Sequence, residues 1–178
     1  MLYKKYLHGY LLSELRCLTM DEIRNILETA INKFNENDIY LIENDLSERC
    51  ICSRLAFYIQ QTLMTSRYSK YGYIVDVEYN RGAKGIEKSS KVLHDNKIVV
   101  DLVVHKRGYS EYNGCGNLFC VEMKKSNSRY GYDKDKVRLK DMINNDYGYN
   151  YKCGYMVIVD MKRKELIIES EFRLHNAE

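Results

Sequence analysis

Four ionisable residues stand where an apolar pattern leaves no ordinary place for them: Glu48, Asp101, Glu122 and Lys124. Asp101 interrupts the β-branched run IVVDLVVH (98–105). Glu122 and Lys124 share one side of the extended segment CVEMKK (120–125) with Cys120, which leaves Val121 and Met123 on the other side. An ionised carboxylate in such a strand needs a positive partner, a metal or several donors. If the two strands form a hairpin that sets Asp101 opposite Glu122, the acids repel unless a cation lies between them. Mg²⁺, with Mn²⁺ as a substitute, suits that place because it takes carboxylate oxygens, a few waters and a substrate phosphate. Asp101 and Glu122 would hold the ion, the Met123 carbonyl would add an oxygen, and Glu48 would bind it or a second ion. Lys124 would orient or help deprotonate a water and stabilise charge developing on phosphorus. Acid and amine then share a face because both address one phosphate.

Each residue also has a plainer reading. At about 100° per residue, Ile51, Cys52, Leu55, Ile59 and Thr62 fall within about 60° of Glu48, which places it at the head of a buried helical stripe. It equally closes a capping box begun by Asp45. Asp101 reads also as a satisfied core acid, and Glu122 with Lys124 as a cross-strand surface pair of little weight. Glu78, in VEYNR, is an alternative metal acid on a face where alternation already accounts for an exposed carboxylate. Arg49 beside Glu48, Arg81 and Lys84 in a glycine-bearing loop, and Lys136 and Lys140 near Lys134 and Arg138 are candidates for phosphate contact. Asp133, Asp135 and Asp141 balance the last group, which therefore also reads as a solvated helix face.

The elements that must position these residues follow from periodicity. Thr19 and Glu22 form a capping-box signature ahead of Ile23, Leu27, Ala30 and Phe34, so a first helix is expected over about 20–34. A second is expected over 45–64. Alternation from Tyr73 to Tyr79 predicts a half-exposed strand, and IVVDLVVH a central one. Turn chemistry over 106–116 leads into LFCVEMK, and the two strands pair as an antiparallel hairpin. Asp133 or Asp135 is expected to cap a third helix running to about Asn144. YMVIVD (155–160) and ELIIES (165–170) complete the order helix, helix, three strands, helix, two strands. The chain reads as one domain over 1–178, with an N-terminal helical segment over about 1–40 and a core over about 45–170.

Bulk composition narrows the function classes without choosing one. A chain of 178 residues, 45% hydrophobic, buries one sizeable core. A net charge of +3 permits a nucleic-acid partner without demanding one. Seventeen tyrosines beside no proline and no tryptophan point to codon bias, so tyrosines near the third helix are weak evidence for base stacking. No apolar run reaches membrane-spanning length and no secretory signal is evident, so a cytoplasmic protein with six reduced cysteines is expected. Cys50-x-Cys52 lacks the spacing of a zinc half-site.

The succession of acid-bearing helix, strand, strand with Asp, strand with Glu-x-Lys, helix and strand resembles the PD-(D/E)XK nuclease superfamily over about residues 45–160. On that resemblance Asp101 matches the first acid, Glu122 the second, Lys124 the lysine, and Glu48 the helix glutamate. Val100 stands in place of the motif proline. The resemblance implies an α/β (α+β) fold, a restriction-endonuclease-like mixed sheet of about five strands flanked by helices in the order ααβββαββ. It implies Mg²⁺-dependent phosphodiester hydrolysis, with nucleic acid as partner and DNA as the expected substrate. Nucleases of this size often pair to cut both strands, so a homodimer is an open arrangement. A different class stays open beside it, a catalytically silent nuclease-fold module that binds nucleic acid or a protein.

Overall fold

The Thr19 hydroxyl accepts from the Glu22 amide at 3.3 Å, and Glu22 Oε2 accepts from the Thr19 amide at 2.9 Å, the reciprocal cap that the sequence predicts. Helix α1 (Met20–Asn37) then buries Ile23, Ile26, Leu27, Ala30, Ile31 and Phe34 along one stripe. Each large side chain there contributes about 1.5–3 kcal/mol. A short helix α2 (Tyr40–Glu43), unforeseen from periodicity, precedes α3 (Glu48–Thr65). Ser47, not Asp45, caps α3: its hydroxyl accepts from the Cys50 amide at 3.2 Å. Asp45 instead takes a left-handed φ of 54° in the preceding turn and gives its carboxylate to Lys125 at 2.6 Å. The capping-box reading of Glu48 is thereby overturned.

The computed structural model describes residues 17–79, 92–93, 96–97, 99–107, 115–128, 130–144 and 149–173. Residues 1–16 of the expected N-terminal segment, and Arg81 and Lys84, lie outside them. Strands β1 (Ile74–Val77), β2 (Val92–Leu93), β3 (Asn96–Lys97), β4 (Leu102–His105), β5 (Asn117–Lys125), β6 (Cys153–Asp160) and β7 (Glu165–Arg173) make two sheets. The larger runs β1-β4-β5-β6-β7, and β2 pairs with β3 apart from it. Among the described strands only β5 and β6 are parallel, joined through helix α4 (Tyr132–Ile143). The chain is thus α/β, a five-stranded mixed sheet with helices on both faces.

Period-two alternation assigns the faces. Phe119, Val121 and Met123 of β5 join the core built with α1 and α3, whereas Cys120 joins Val103, Leu139, Met142 and Met156 on the α4 side. Gly154 lets α4 close onto β6: a Cβ there would stand 3.3 Å from Leu139 Cβ. Glu122 and Lys124 continue the Cys120 face and so lie under α4.

The β4–β5 ladder pairs Leu102 with Val121, Val103 with Cys120 and Val104 with Phe119, the register that brings Asp101 beside Glu122. The strand expected over 98–105 begins only at Leu102. Strand β5 therefore outruns its neighbour, and from Glu122 to Lys125 it is hydrogen-bonded to β6 alone within the sheet.

The cysteines correct the expectation of a wholly reduced set. Cys17 and Cys115 form a disulfide with Cα atoms 5.6 Å apart, while Cys50, Cys52, Cys120 and Cys153 are not disulfide-bonded. Among the described residues no helix is long and apolar enough to cross a membrane.

Candidate active site

The unpaired half of β5 exposes main-chain donors that need partners, and side-chain carboxylates supply them. Met123 N–H donates to Asp101 Oδ2 at 2.8 Å, and Lys125 N–H donates to Glu48 Oε1 at 2.9 Å. Glu48 reaches this edge from the first turn of α3, and its Oε2 lies 3.8 Å from Lys124 Nζ. The structure thus brings Glu48, Asp101, Glu122, Met123 and Lys124 to one end of the sheet. In a strand the N–H and C=O of one residue point to the same edge, so the Met123 carbonyl also faces the gap beside Asp101.

Charge in this gap is crowded. Glu122 is 1% exposed, and burial pushes its carboxyl well above the usual range. The nearby Asp101 charge pushes it further up, with Arg138 pulling the other way. Burial also raises Asp101, against the Met123 amide and a hydrogen bond with Glu122 that favour its charged form. The two acids are thus a facing pair whose simultaneous ionisation is disfavoured. Burial alone would pull the Lys124 ammonium down, but Asp135, Glu48 and Asp101 outweigh it and raise the pKa.

Two residues on α4 complete the cluster, and neither stood out in the sequence as part of it. Asp135, 6% exposed, places Oδ2 3.0 Å from Lys124 Nζ and Oδ1 3.4 Å from Arg138 Nη2. Arg138 Nη1 donates to Glu122 Oε1 at 2.6 Å and to the Val99 carbonyl at 3.3 Å. A signal for Asp135 did exist: it shares its helical face with Leu139 and Met142, so an acid heads an apolar stripe, as at Glu48. Its position in the sequence suggests a cap, but Gly131, at φ 77°, precedes the helix, and no side chain caps it.

Arg49 and Glu78 stand beside the cluster and pair with each other, whereas Lys136 and Lys140 are engaged elsewhere on α4. Arg49 Nη2 pairs with Glu78 Oε1 at 2.7 Å, while the Glu78 amide donates to the Asp101 carbonyl at 3.0 Å. Glu78 takes φ 52° immediately after β1. Lys136 Nζ lies 3.5 Å from Glu169 and 4.2 Å from the Tyr132 ring centroid; Lys140 Nζ lies 5.9 Å from that of Phe172. Burial pushes the Cys52 thiol up, which removes it as a nucleophile.

Two cavities flank the cluster. One of about 240 Å³ is lined by Glu48, Arg49, Cys52, Val77, Glu78 and Asp101; another of about 320 Å³ begins at Lys124. Among the described residues no three acids, histidines or cysteines form a set arranged to grip an ion unaided. The fit is with a hard cation that two carboxylates hold loosely and water and substrate complete. The donors are all oxygens, and a cation between Asp101 and Glu122 would offset the burial that raises both carboxyls and the Asp101 charge that raises Glu122 further. No protein-family model matches the chain, and no curated protein matches it in sequence.

Proposed function

We propose that the chain is a Mg²⁺-dependent nuclease of the restriction-endonuclease-like, PD-(D/E)XK type that hydrolyses phosphodiester bonds in DNA. The observation that carries this reading is the meeting of Glu48, Asp101, Glu122 and Lys124 at the end of β5 that β4 does not reach. Asp101 and Glu122 would hold the ion, with Glu48 at the rim and the Met123 carbonyl alongside. Mg²⁺, or Mn²⁺ in its place, supplies neutralisation of the phosphate and a more acidic water. Lys124, held in place by Asp135, points its charge at the same gap and stabilises negative charge that grows on the phosphoryl oxygens. Asp101 and Glu48 accept the β5 amides on the edge that β4 does not reach, which ties the acids to the strand that carries Glu122 and Lys124.

Incubation of the purified chain with plasmid, linear and single-stranded DNA, in Mg²⁺, Mn²⁺ or EDTA, tests the reading. Cleavage that requires metal and disappears in both Glu122→Ala and Lys124→Ala supports it. Cleavage that survives both substitutions rejects this site.

One observation favours a second reading, a silent nuclease-fold module that binds nucleic acid or a protein. Arg138 already lays a positive charge on Glu122 at 2.6 Å, where a catalytic ion would act. DNA binding without metal uptake or cleavage would select that reading.

A further inference from the structure

The larger cavity adjoins the proposed reactive amine, and its walls have a composition that the phosphodiester chemistry does not use. Lys124, Lys125, Ser126 and Ser128 line one part of it, Tyr132 and Ile158 another, and Glu169 of β7 a third. These come from the end of β5 and the turn after it, from α4 and from the last two strands. The turn is braced: the Ser126 amide donates to the Val159 carbonyl at 3.0 Å, and the Ser126 hydroxyl accepts from the Met161 amide at 3.0 Å, which leaves its own proton to donate. The Tyr132 hydroxyl donates to Glu169. Lys136 stands 3.5 Å from Glu169 and so offsets its charge. The walls are therefore set before any ligand arrives, which lowers the ordering cost of binding.

We propose that this cavity receives one unpaired nucleotide of a DNA strand whose neighbouring phosphate lies at Lys124, and that it favours cytosine over thymine there. A space of about 320 Å³ has room for one nucleoside. Tyr132 and Ile158 offer an aromatic and an aliphatic surface for a base, and the serine hydroxyls offer donors for the sugar-phosphate chain. Glu169 can only accept while ionised. A carboxylate selects the exocyclic amino group of cytosine and is repelled by the carbonyl oxygens that flank the single N–H of thymine. The inference rests on the nuclease reading and names its substrate: DNA with a single-stranded, flapped or frayed segment at the cut, rather than continuous duplex.

Fluorescence anisotropy on the full chain in EDTA, with labelled oligo-dC, oligo-dT and a duplex of equal length, tests the proposal without cleavage. Oligo-dC is expected to bind about tenfold more tightly than oligo-dT or the duplex. Tyr132→Ala is expected to weaken oligo-dC binding about tenfold while Tyr132→Phe retains it, and Glu169→Ala to erase the preference for dC. Thermal melts confirm that each variant is folded. Equal affinity for the three ligands, or Tyr132→Ala and Glu169→Ala both behaving as wild type, overturns the proposal. Base-selective binding by a chain that never cleaves would sink the nuclease reading and leave the cavity assignment standing. Metal-dependent cleavage with both variants unchanged would do the reverse.

Discussion

Asp135 Oδ2 lies 3.0 Å from Lys124 Nζ, nearer than the Glu48 carboxylate at 3.8 Å, so an acid on α4 is the main anchor of the proposed reactive amine. A side chain with four rotatable bonds is of little use to a phosphate until something fixes its end.

Asp135→Asn is expected to lower the cleavage rate constant about 10- to 100-fold, the usual size for loss of an orienting partner, with little change in KM for DNA. Asp135→Glu should recover part of the loss. Single-turnover cleavage at saturating DNA checks this, and a rise in KM at unchanged rate would contradict an orienting role.

Glu122→Gln keeps the shape and removes the charge of the most buried acid. Wild type is expected to gain melting temperature as Mn²⁺ is added, since an ion that binds only the folded state stabilises it. The variant should show no gain, and EDTA should return the wild type to the variant's insensitivity to metal. An equal Mn²⁺ response in both proteins would remove Glu122 from the ion site.

Asp101 has a second duty that separates two substitutions. Asparagine retains an oxygen for the Met123 amide, whereas alanine leaves that donor stranded at the sheet edge. Asp101→Ala is therefore expected to lose about 1–3 kcal/mol in urea unfolding and Asp101→Asn about 1 kcal/mol or less, while neither cleaves DNA. Equal destabilisation by both would show that the amide has found another partner.

Away from the site, Asp76 governs acid stability on the β1–β4 pair. Burial would raise its carboxyl, but hydrogen bonds from Arg107 and His105 outweigh it and hold the pKa below the ordinary range. His105 Nε2 lies 2.8 Å and Arg107 Nε 2.9 Å from Asp76 Oδ2. A depressed folded pKa contributes stability that is present above the unfolded value of about 3.9 and lost as pH falls through the folded one. Asp76→Asn should thus be about 1.5–3 kcal/mol less stable than wild type at neutral pH, with the gap closing in strong acid. A gap that stays unchanged however far the pH falls below the unfolded value would refute the assignment.

Features that depend on neighbours in sequence were legible, and those that depend on neighbours in space were not. The Thr19–Glu22 cap and the shared face of Glu122 and Lys124 follow from local spacing, whereas the β4–β5 register could only be supposed until the strands were seen paired. Ser47 displaced Asp45 as the cap of α3 because the chain first turns through a left-handed residue, which the sequence does not mark with glycine. Asp135 and Arg138 looked like part of a balanced surface helix, since their partners lie on β5. The shortness of β4 was hidden because Val99 and Val100 are as strand-prone as the residues that follow them. That missing length is what gives Asp101 and Glu48 main-chain partners.

On the nuclease reading, the carboxylates that cap the overhang of β5 are held by two selections, one for the strand and one for the proposed chemistry. A lineage relieved of any need to cut would still keep Asp101 and Glu48, because discarding them would fray its longest central strand. Glu122 and Lys124 donate nothing to that repair. Drift at those two positions, with the pair at 48 and 101 held fixed, is the signature by which a retired relative would be told from a working one.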